Sequence, residues 1–283
     1  MKLDSKEGVM TNKSIDKYFD ITAFCTAFPF SWDSSFVFNG EIHDFWEIVF
    51  VLDGQVEVTE DDKIYLLQKN ELILHAPMEF HRIKSAANTS PKGFILSVYT
   101  EGELPPTLRD GCFALSADEV AEYTALTERI LKFHQGTSDS RFAGQEVAHT
   151  LSAFLIRLGS NNRPKSRIDN SQSAIEYKHA ISVMNEHICQ NRTLSEIAAN
   201  CNISVSYLKQ LFQKHAGISP KRFYDSLRIQ YAISKIRAGF TSAEIAAEMN
   251  FSSACYFSTF FQRQTGTAAS AYRQLAPKLR AAK

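Results

Sequence analysis

The spacing of apolar residues changes partway along the chain. Up to about residue 100, apolar and β-branched residues form short runs, separated by turn-forming pairs such as Asp53-Gly54 and Lys69-Asn70. Short runs without intervening helical patterns predict an antiparallel sandwich or barrel. The runs expected to form strands are residues 47–52, 55–59, 63–67, 72–74 and 94–99.

After Pro105-Pro106 the apolar residues recur at a spacing of three and four, which predicts helices. Helices over 117–134 and 141–158 are expected to follow the strands. The second has an apolar stripe that could equally cover the open face of the barrel or form a dimer seam; it consists of Val147, Leu151, Phe154, Leu155 and Leu158.

A polar segment rich in loop formers, residues 159–172, predicts a linker, and everything beyond it has a helical pattern. We therefore expect a two-domain α+β protein. Residues 1–158 would form an antiparallel β-barrel with trailing helices, and residues 173–283 an all-α domain.

Charge becomes informative once the chain is divided at the linker. The whole chain balances 31 Lys and Arg against 31 Asp and Glu, but residues 173–283 hold 14 basic and six acidic residues, a formal charge of +8. A basic half indicates a nucleic-acid partner. The five cysteines show no CxxC or zinc-type spacing, and the chain has neither a signal-like N-terminus nor an apolar run long enough for a membrane span. We expect a cytoplasmic protein without a membrane partner.

The basic half contains an internal repeat. Residues 195–199 (Ser-Glu-Ile-Ala-Ala) recur as residues 243–247 (Ala-Glu-Ile-Ala-Ala), and each copy is followed by an Asn-containing turn and a longer amphipathic pattern. A short helix, a tight turn and a second helix form a helix-turn-helix, whose second helix enters the major groove of DNA. We predict two such units, at about 195–216 and 243–266.

Within each unit, the polar face of the second helix is predicted to contact DNA bases, and nearby basic and polar residues the phosphates. Leu208, Leu211 and Phe212 would face the core. The predicted base contacts are Ser206, Lys209, Gln210 and Gln213 in the first unit, and Ala254, Cys255, Ser258 and Thr259 in the second. The predicted phosphate contacts are Lys221, Arg222, Arg228, Gln262, Arg263 and Arg273.

The C-terminal hundred residues resemble the DNA-binding domain of the AraC/XylS family of bacterial transcription regulators. The match is carried by residues 194–217, by residues 219–223 (Ser-Pro-Lys-Arg-Phe) and by residues 251–266 with Tyr272-Arg273. The resemblance implies two helix-turn-helix units that enter successive major grooves, and a surface that recruits RNA polymerase. One departure is Ala269, where the family usually has proline.

Residues 40–54 resemble the first cupin motif, through Glu41, His43, Glu47 and Gly54, and residues 77–81 resemble the second imperfectly. In metal-binding cupins the corresponding positions are mostly His with one Glu, so Glu41, His43, Glu47 and His81 could hold a divalent ion. We instead favour a pocket for a small organic effector, a sugar or a small carboxylate, and expect no metal and no cofactor. A third possibility is an inert remnant. The residues predicted to bind the effector are Trp32, Glu41, His43, Trp46, Glu47 and His81.

Alternation along the strand predicts that odd positions from 41 to 51 share one face, so that Glu41, His43 and Glu47 lie together. His75 is expected to be a barrel histidine satisfied by a neighbour. Because the second cupin motif is degenerate and no nucleophile elbow or phosphate loop is present, we do not expect an enzyme.

The favoured function is an effector-responsive, sequence-specific transcription activator that acts as a homodimer on double-stranded DNA in the bacterial nucleoid. The alternative is a regulator controlled by protein contact without an effector, and a metal-dependent cupin enzyme is the least favoured.

Overall fold

A computed structural model of the chain describes residues 18–102, 104–108, 111–138, 140–161 and 171–270. Strands form the first part and helices the second, which confirms the predicted α+β architecture. The strands are β1 (Phe19–Ser31), β2 (Val37–Glu41), β3 (Trp46–Asp53), β4 (Val56–Glu60), β5 (Lys63–Leu67), β6 (Glu71–His75), β7 (His81–Ser85), β8 (Lys92–Gly102) and β9 (Phe113–Ala114). A short 3-10 helix, Pro106–Leu108, precedes β9.

The strands form two antiparallel sheets that face each other. One has the order β1-β8-β3-β6-β9 and the other the order β2-β7-β4-β5. Side chains of β3 alternate between the two faces of the first sheet. Val49 and Val51 pack between the sheets against Val58 and Ile83 of the second sheet. The space between the sheets is thus largely filled by apolar side chains.

Two helices, α1 (Ala117–His134) and α2 (Ala143–Asn161), cover the outer face of the five-stranded sheet. Trp46, Ile48 and Phe50 of β3 point to this side. The predicted apolar stripe of α2 is entirely buried here, from Val147 to Leu158. Of the two roles that the sequence left open, the stripe therefore covers the sheet, and it is not available as a dimer seam.

The helical domain consists of six helices in the part of the chain that the structure describes. They are α3 (Gln172–Glu186), α4 (Leu194–Asn200), α5 (Val205–His215), α6 (Pro220–Arg237), α7 (Ser242–Glu248) and α8 (Ala254–Thr265). The long α6 runs between two helix-turn-helix units, α4–α5 and α7–α8. None of the helices among the described residues is long and apolar enough to cross a membrane.

The repeat seen in the sequence has a matching backbone. Asn202 and Asn250 adopt left-handed φ angles of 56° and 55° in the two turns. Asn tolerates this conformation better than most residues, so both units can turn tightly after their first helix. Phe212 in one unit, and Phe257 and Phe261 in the other, are fully buried under their domain's helices.

Candidate DNA-binding face and ligand cluster

Helix α5 presents the predicted base-contacting residues of the first unit to solvent. Leu208, Leu211 and Phe212 are buried beneath it, as expected from their spacing. The opposite face is polar, because all four predicted residues are exposed: Ser206, Lys209, Gln210 and Gln213. Lys and Gln side chains can make paired hydrogen bonds to guanine and adenine, so this face has the chemistry needed to distinguish bases.

Helix α8 exposes Cys255, Ser258 and Thr259, whereas Ala254 is half-buried at its start. The Ser258 hydroxyl donates to the Ala254 carbonyl at 2.8 Å, and the Thr259 hydroxyl donates to the Cys255 carbonyl at 3.0 Å. Both hydroxyl protons are therefore used within the helix. This arrangement favours the expectation that the first unit contributes more of the base specificity.

The residues predicted to contact phosphate fall into three groups. Lys221 and Arg222 at the start of α6, with Gln262 and Arg263 late in α8, are exposed. The Lys221 ammonium pairs with the Asp225 carboxylate at 2.5 Å. Arg273 lies outside the described residues, and Arg228 is not on the surface.

The prediction that Arg228 contacts phosphate is wrong. Its side chain is buried in the middle of α6, at 2 % exposure. One guanidinium nitrogen donates to the Met249 carbonyl at 2.9 Å, and the guanidinium carbon lies 4.5 Å from the centre of the Phe251 ring. Arg228 therefore ties the linking helix to the turn of the second unit, a role that charge and helical spacing alone did not indicate.

In the β domain, the structure brings together four predicted ligands, which we call the sensor cluster: Glu41, His43, Glu47 and His81. His81 Nε2 lies 3.3 Å from Glu47 Oε1 and 3.9 Å from Glu41 Oε1. His43 Nε2 lies 3.8 Å from Glu47 Oε2.

The strand argument that grouped these residues is only partly right. Strand β2 ends at Glu41 and β3 begins at Trp46, so positions 41 to 51 do not share one strand face. Glu41 instead faces His81 across the β2–β7 pair, and His43 lies in the loop between β2 and β3.

Electrostatics in the sensor cluster favour one charged pair and one neutral histidine. Burial opposes charge at both His81 and Glu47, but their mutual interaction raises the pKa of His81 and lowers the pKa of Glu47. Burial, reinforced by the nearby His81, lowers the pKa of His43 to about 4. These shifts favour the charged forms of His81 and Glu47, and His43 is neutral near pH 7.

The sensor cluster fits a divalent cation by its donor set. Each residue offers one ligand atom, and all four atoms lie within 4.8 Å of one another. The Nδ1 atoms of His43 and His81 are near the carbonyls of Phe45 and Glu79, at 3.0 and 3.3 Å. Their Nε2 atoms are buried, face the carboxylates and make no hydrogen bond to the part of the chain that the structure describes. Histidine ligands of metals are commonly oriented in this way.

The two tryptophans predicted to line the effector pocket do not join the cluster. Trp46 is 4 % exposed and packs beneath α1 and α2, on the face of β3 opposite to Glu47. The reason is the two-residue period of the strand, which sends neighbouring residues to opposite faces. Trp32 stacks between Phe30 and Phe36, with ring centroids 3.9 and 4.1 Å away.

A cleft of about 430 Å³ opens beside the sensor cluster, between the two domains. Glu41, His43 and Asp44 line its β side, and Arg222, Gln264 and Thr265 line its helical side. We call this space the interdomain cleft. Arg222, predicted to contact phosphate, thus also borders it.

The domains contact each other directly next to this cleft. Arg82 of β7 donates to the carbonyls of Lys214 and His215 at 2.9 and 3.2 Å, and the Thr59 hydroxyl donates to the His215 carbonyl at 2.7 Å. These donors satisfy the C-terminal carbonyls of α5, where a helix favours positive charge. Gly217, with a φ of 70°, lies against Arg82, since a Cβ there would be 2.9 Å from its Nε.

The turn between β6 and β7, residues 76–80, supplies apolar contacts between the domains. Phe80 packs against Phe223 of α6 with ring centroids 5.1 Å apart. Met78, at a left-handed φ of 69°, packs against the core of the second helix-turn-helix unit. The sequence analysis missed these residues and Arg82, since no local pattern shows what a second domain will cover.

Two helix-turn-helix units beside a two-sheet domain with a polar cluster define a DNA-binding regulator with a sensor domain. Residues 28–176 match the family described as the AraC-like ligand binding domain, and residues 197–275 match a helix-turn-helix domain. The chain therefore belongs to the AraC family of DNA-binding transcription regulators.

Relatives along most of the chain are transcription regulators. An uncharacterized HTH-type transcriptional regulator of Bacillus subtilis, YfiF, is 22% identical over 82% of this chain and 78% of its own length. The HTH-type transcriptional activator RhaS of Escherichia fergusonii is 22% identical over 82% of this chain and 86% of its own. Among solved structures, ToxT from Vibrio cholerae matches 92% of this chain and 99% of its own at 14% identity, with a TM-score of 0.37.

Proposed function

We propose that this protein is an effector-responsive transcription activator that binds specific DNA sequences through α5 and α8. One observation carries the proposal: the helical domain closes one side of a cleft whose other side includes Glu41 and His43 of the sensor cluster. A molecule bound there touches both domains, so it can favour one arrangement of the helix-turn-helix units over another. RhaS, a relative described as a transcriptional activator and matched over 82% of this chain, supports the sign of regulation.

The walls of the interdomain cleft favour a neutral, hydroxyl-rich effector of the sugar class. Glu41 and Asp44 can accept hydrogen bonds from hydroxyl groups, and Gln264 and Arg222 can donate them. Two carboxylates against one guanidinium leave the lining negative, which disfavours a carboxylate effector. Ile42 and Ile229 offer apolar surface for the non-polar face of a sugar ring.

In this proposal the sensor cluster is directly connected to the helices that bind DNA. His81 of the sensor cluster is preceded by Phe80, which packs on α6, and followed by Arg82, which binds the end of α5. A change in how His81 is held therefore acts on both flanking contacts. We propose that effector binding shifts the population of this interface and, with it, the spacing of α5 and α8.

We propose two further partners for an activator, RNA polymerase and a second copy of this chain. A surface of the helical domain would contact RNA polymerase at promoters in the nucleoid. A homodimer would use α2 residues other than the buried stripe; Phe142, just before α2, and Ile156 on it are 60% and 48% exposed.

A regulator controlled by protein contact alone is the second candidate. The apolar packing between the two sheets favours it, because that packing leaves little room for an effector inside the barrel. Titration of neutral sugars and of small carboxylates against the full chain separates the two. Saturable binding that Glu41→Gln abolishes supports the effector proposal, and no heat or thermal shift with any compound supports the alternative.

A pair of variants tests the assignment of the DNA-binding face. Lys209→Ala is expected to weaken binding to the selected operator by about 1–3 kcal/mol and to relax one base position. Arg263→Ala is expected to weaken binding to operator and random DNA alike and to lower the salt dependence. The measurement is fluorescence anisotropy on both DNAs across a salt series. Equal losses for Lys209→Ala on both DNAs would contradict its assignment as a base contact.

A further inference from the structure

A second group of titratable side chains lies inside the β domain, outside the sensor cluster. Glu60 ends β4, His75 ends β6, and Glu79 lies in the turn that follows β6. We call them the Glu60 cluster. Since β6 and β4 belong to different sheets, the cluster bridges the two sheets at the edge that meets the helical domain. Each residue offers one ligand atom, and the three atoms lie within 4.8 Å of one another.

The Glu60 cluster is buried but incompletely satisfied. Glu60 and His75 have no exposed surface. His75 Nδ1 lies 2.9 Å from Glu60 Oε1, and the carboxyls of Glu60 and Glu79 are within hydrogen-bond reach of each other, yet His75 Nε2 has no hydrogen-bond partner among the described residues. Buried polar atoms are normally paired, so the orphaned imidazole nitrogen indicates a missing partner. The expectation of a satisfied His75 is thus met at one ring nitrogen only.

The surroundings of the cluster are negative. Glu60, Glu79 and the adjacent Asp61 are close enough to influence one another, Lys63 acts on both glutamates, and His81, stacked on His75, acts on Glu79. Three carboxylates against one ammonium and one imidazolium leave a net charge of −1 when all are ionised.

We propose that Glu60, His75 and Glu79 bind a divalent first-row metal cation. Two carboxylate oxygens and one imidazole nitrogen suit Mn²⁺, Fe²⁺, Co²⁺ or Zn²⁺, and the absence of a thiolate from the cluster disfavours soft ions. The three candidate ligand atoms lie within 4.8 Å of one another, close enough to share one ion.

A cleft beside the Glu60 cluster gives an ion access to it, and a bound ion would hold the turn between β6 and β7 in place. A cleft of about 520 Å³, lined by Asp61, Pro77, Met78 and Glu79 on the β side and by α6 on the other, reaches the cluster at Glu79. The Glu79 carboxylate already accepts a hydrogen bond from Ala76 N at 2.9 Å, which shapes the turn. A cation held by Glu79, His75 and Glu60 would fix the turn that carries Met78 and Phe80 into the helical domain.

Metal titration of the full chain tests the proposal without DNA. The chelator-treated protein is titrated with Mn²⁺, Co²⁺ and Zn²⁺ in a calorimeter, alongside Glu60→Gln and Glu79→Gln, which keep the side-chain shape. We expect one site per chain and at least tenfold weaker binding in both variants, with the thermal unfolding temperature of the metal-free variants no lower than that of the metal-free wild type. His43→Gln, which alters only the sensor cluster, is expected to bind like the wild type.

X-ray absorption of the loaded wild-type chain gives a result that does not depend on any variant. The Glu60 cluster supplies one imidazole, whereas the sensor cluster would supply two. One imidazole with oxygen ligands supports the proposal. Two imidazoles, or binding lost in His43→Gln and retained in Glu60→Gln, would place the ion in the sensor cluster and overturn it. A folded chain that binds none of the three ions would overturn it as well.

Discussion

Arg228 shows how a single side chain can link two recognition units. It leaves α6 at its midpoint, donates to the Met249 carbonyl, and lies between the rings of Phe251 and Phe260 at 4.5 and 5.6 Å. A second guanidinium nitrogen donates to Asn191, which lies before the first unit, at 3.2 Å. The same guanidinium thus contacts both halves of the helical domain.

Replacing Arg228 is therefore expected to affect stability rather than phosphate binding. Arg228→Ala removes charge-assisted hydrogen bonds and leaves a cavity, and we expect a loss of about 3 kcal/mol in the free energy of unfolding. Urea denaturation followed by circular dichroism measures this loss. Arg222→Ala, an exposed arginine on the same helix, is the matched control and is expected to change it by less than about 0.5 kcal/mol.

Arg228 also marks the limit of sequence analysis at this scale. Helical spacing correctly placed Leu208 inside and Lys209 outside, because neighbouring residues of a helix are about 100° apart around its axis. A basic residue, however, is expected to be exposed unless its partners are known. Those partners, Asn191 and Met249, lie 37 and 21 residues away along the chain. The orphaned nitrogen of His75 was beyond prediction for the same reason.

At the scale of helices and strands, the repeat extends to the helix caps. Thr193 and Glu196 form a capping box at the start of α4, and Thr241 and Glu244 form the same box at the start of α7. In each, the threonine hydroxyl accepts from the third residue of the helix and the glutamate accepts from the threonine backbone. Both first helices have only seven residues, so they depend strongly on such caps.

The cap of α4 gives a prediction with a defined pH dependence. Thr193→Ala is expected to destabilise the helical domain by about 1 kcal/mol at pH 7. Hydrogen bonds from the Thr193 backbone, with smaller contributions from its hydroxyl and from Arg192, lower the pKa of Glu196 to about 2. A carboxyl whose pKa is lower in the folded than in the unfolded chain stabilises the fold at pH values above its unfolded pKa. This stabilisation is lost as the pH falls through the folded pKa of about 2.

Thr193→Ala keeps the backbone donor to Glu196 but removes the hydroxyl, which also donates to this carboxylate at 2.8 Å. We therefore expect the part of the difference between wild type and Thr193→Ala that depends on ionised Glu196 to shrink below about pH 4. Chemical denaturation at pH 7 and in acid measures it, with Thr193→Ser as a control that keeps the cap. A difference that is constant over this range would contradict the role of Glu196 in the box.

The helices were predicted more completely than the strands, because β1, β7 and β9 were not among the runs named as strands. Helix α1 and strand β5 have the predicted bounds, since periodic burial fixes both. Strand β2 and the break before Trp46 were missed, because residues 41 to 51 keep an alternating pattern across a loop. The four predicted ligands of the sensor cluster therefore lie together, but Trp32 and Trp46, predicted beside them, do not.

For the whole molecule, the acidic and basic halves of the chain meet mainly through hydrogen bonds and apolar contacts. Arg82 supplies a positive group from the acidic half to the carbonyl end of α5, a helix of the basic half. Tyr177 of α3 donates to the Asp61 carbonyl at 3.0 Å. Individual donors thus hold the domains together, and the exposed polar face of α5 proposed to contact DNA takes no part in these contacts.

Arg82→Ala is the substitution that tests this interface. It removes both bonds to the end of α5 and the side chain against Gly217, so we expect amide exchange at residues 214–218 to become about tenfold faster. The radius of gyration measured by small-angle scattering should rise as the domains separate. Lys84→Ala on the same strand is the control, because Lys84 pairs at 2.7 Å with Glu57 within the β domain. If Arg82→Ala and Lys84→Ala behave alike, Arg82 does not hold the domains together, and the route from sensor to DNA must lie in the turn at Met78 and Phe80.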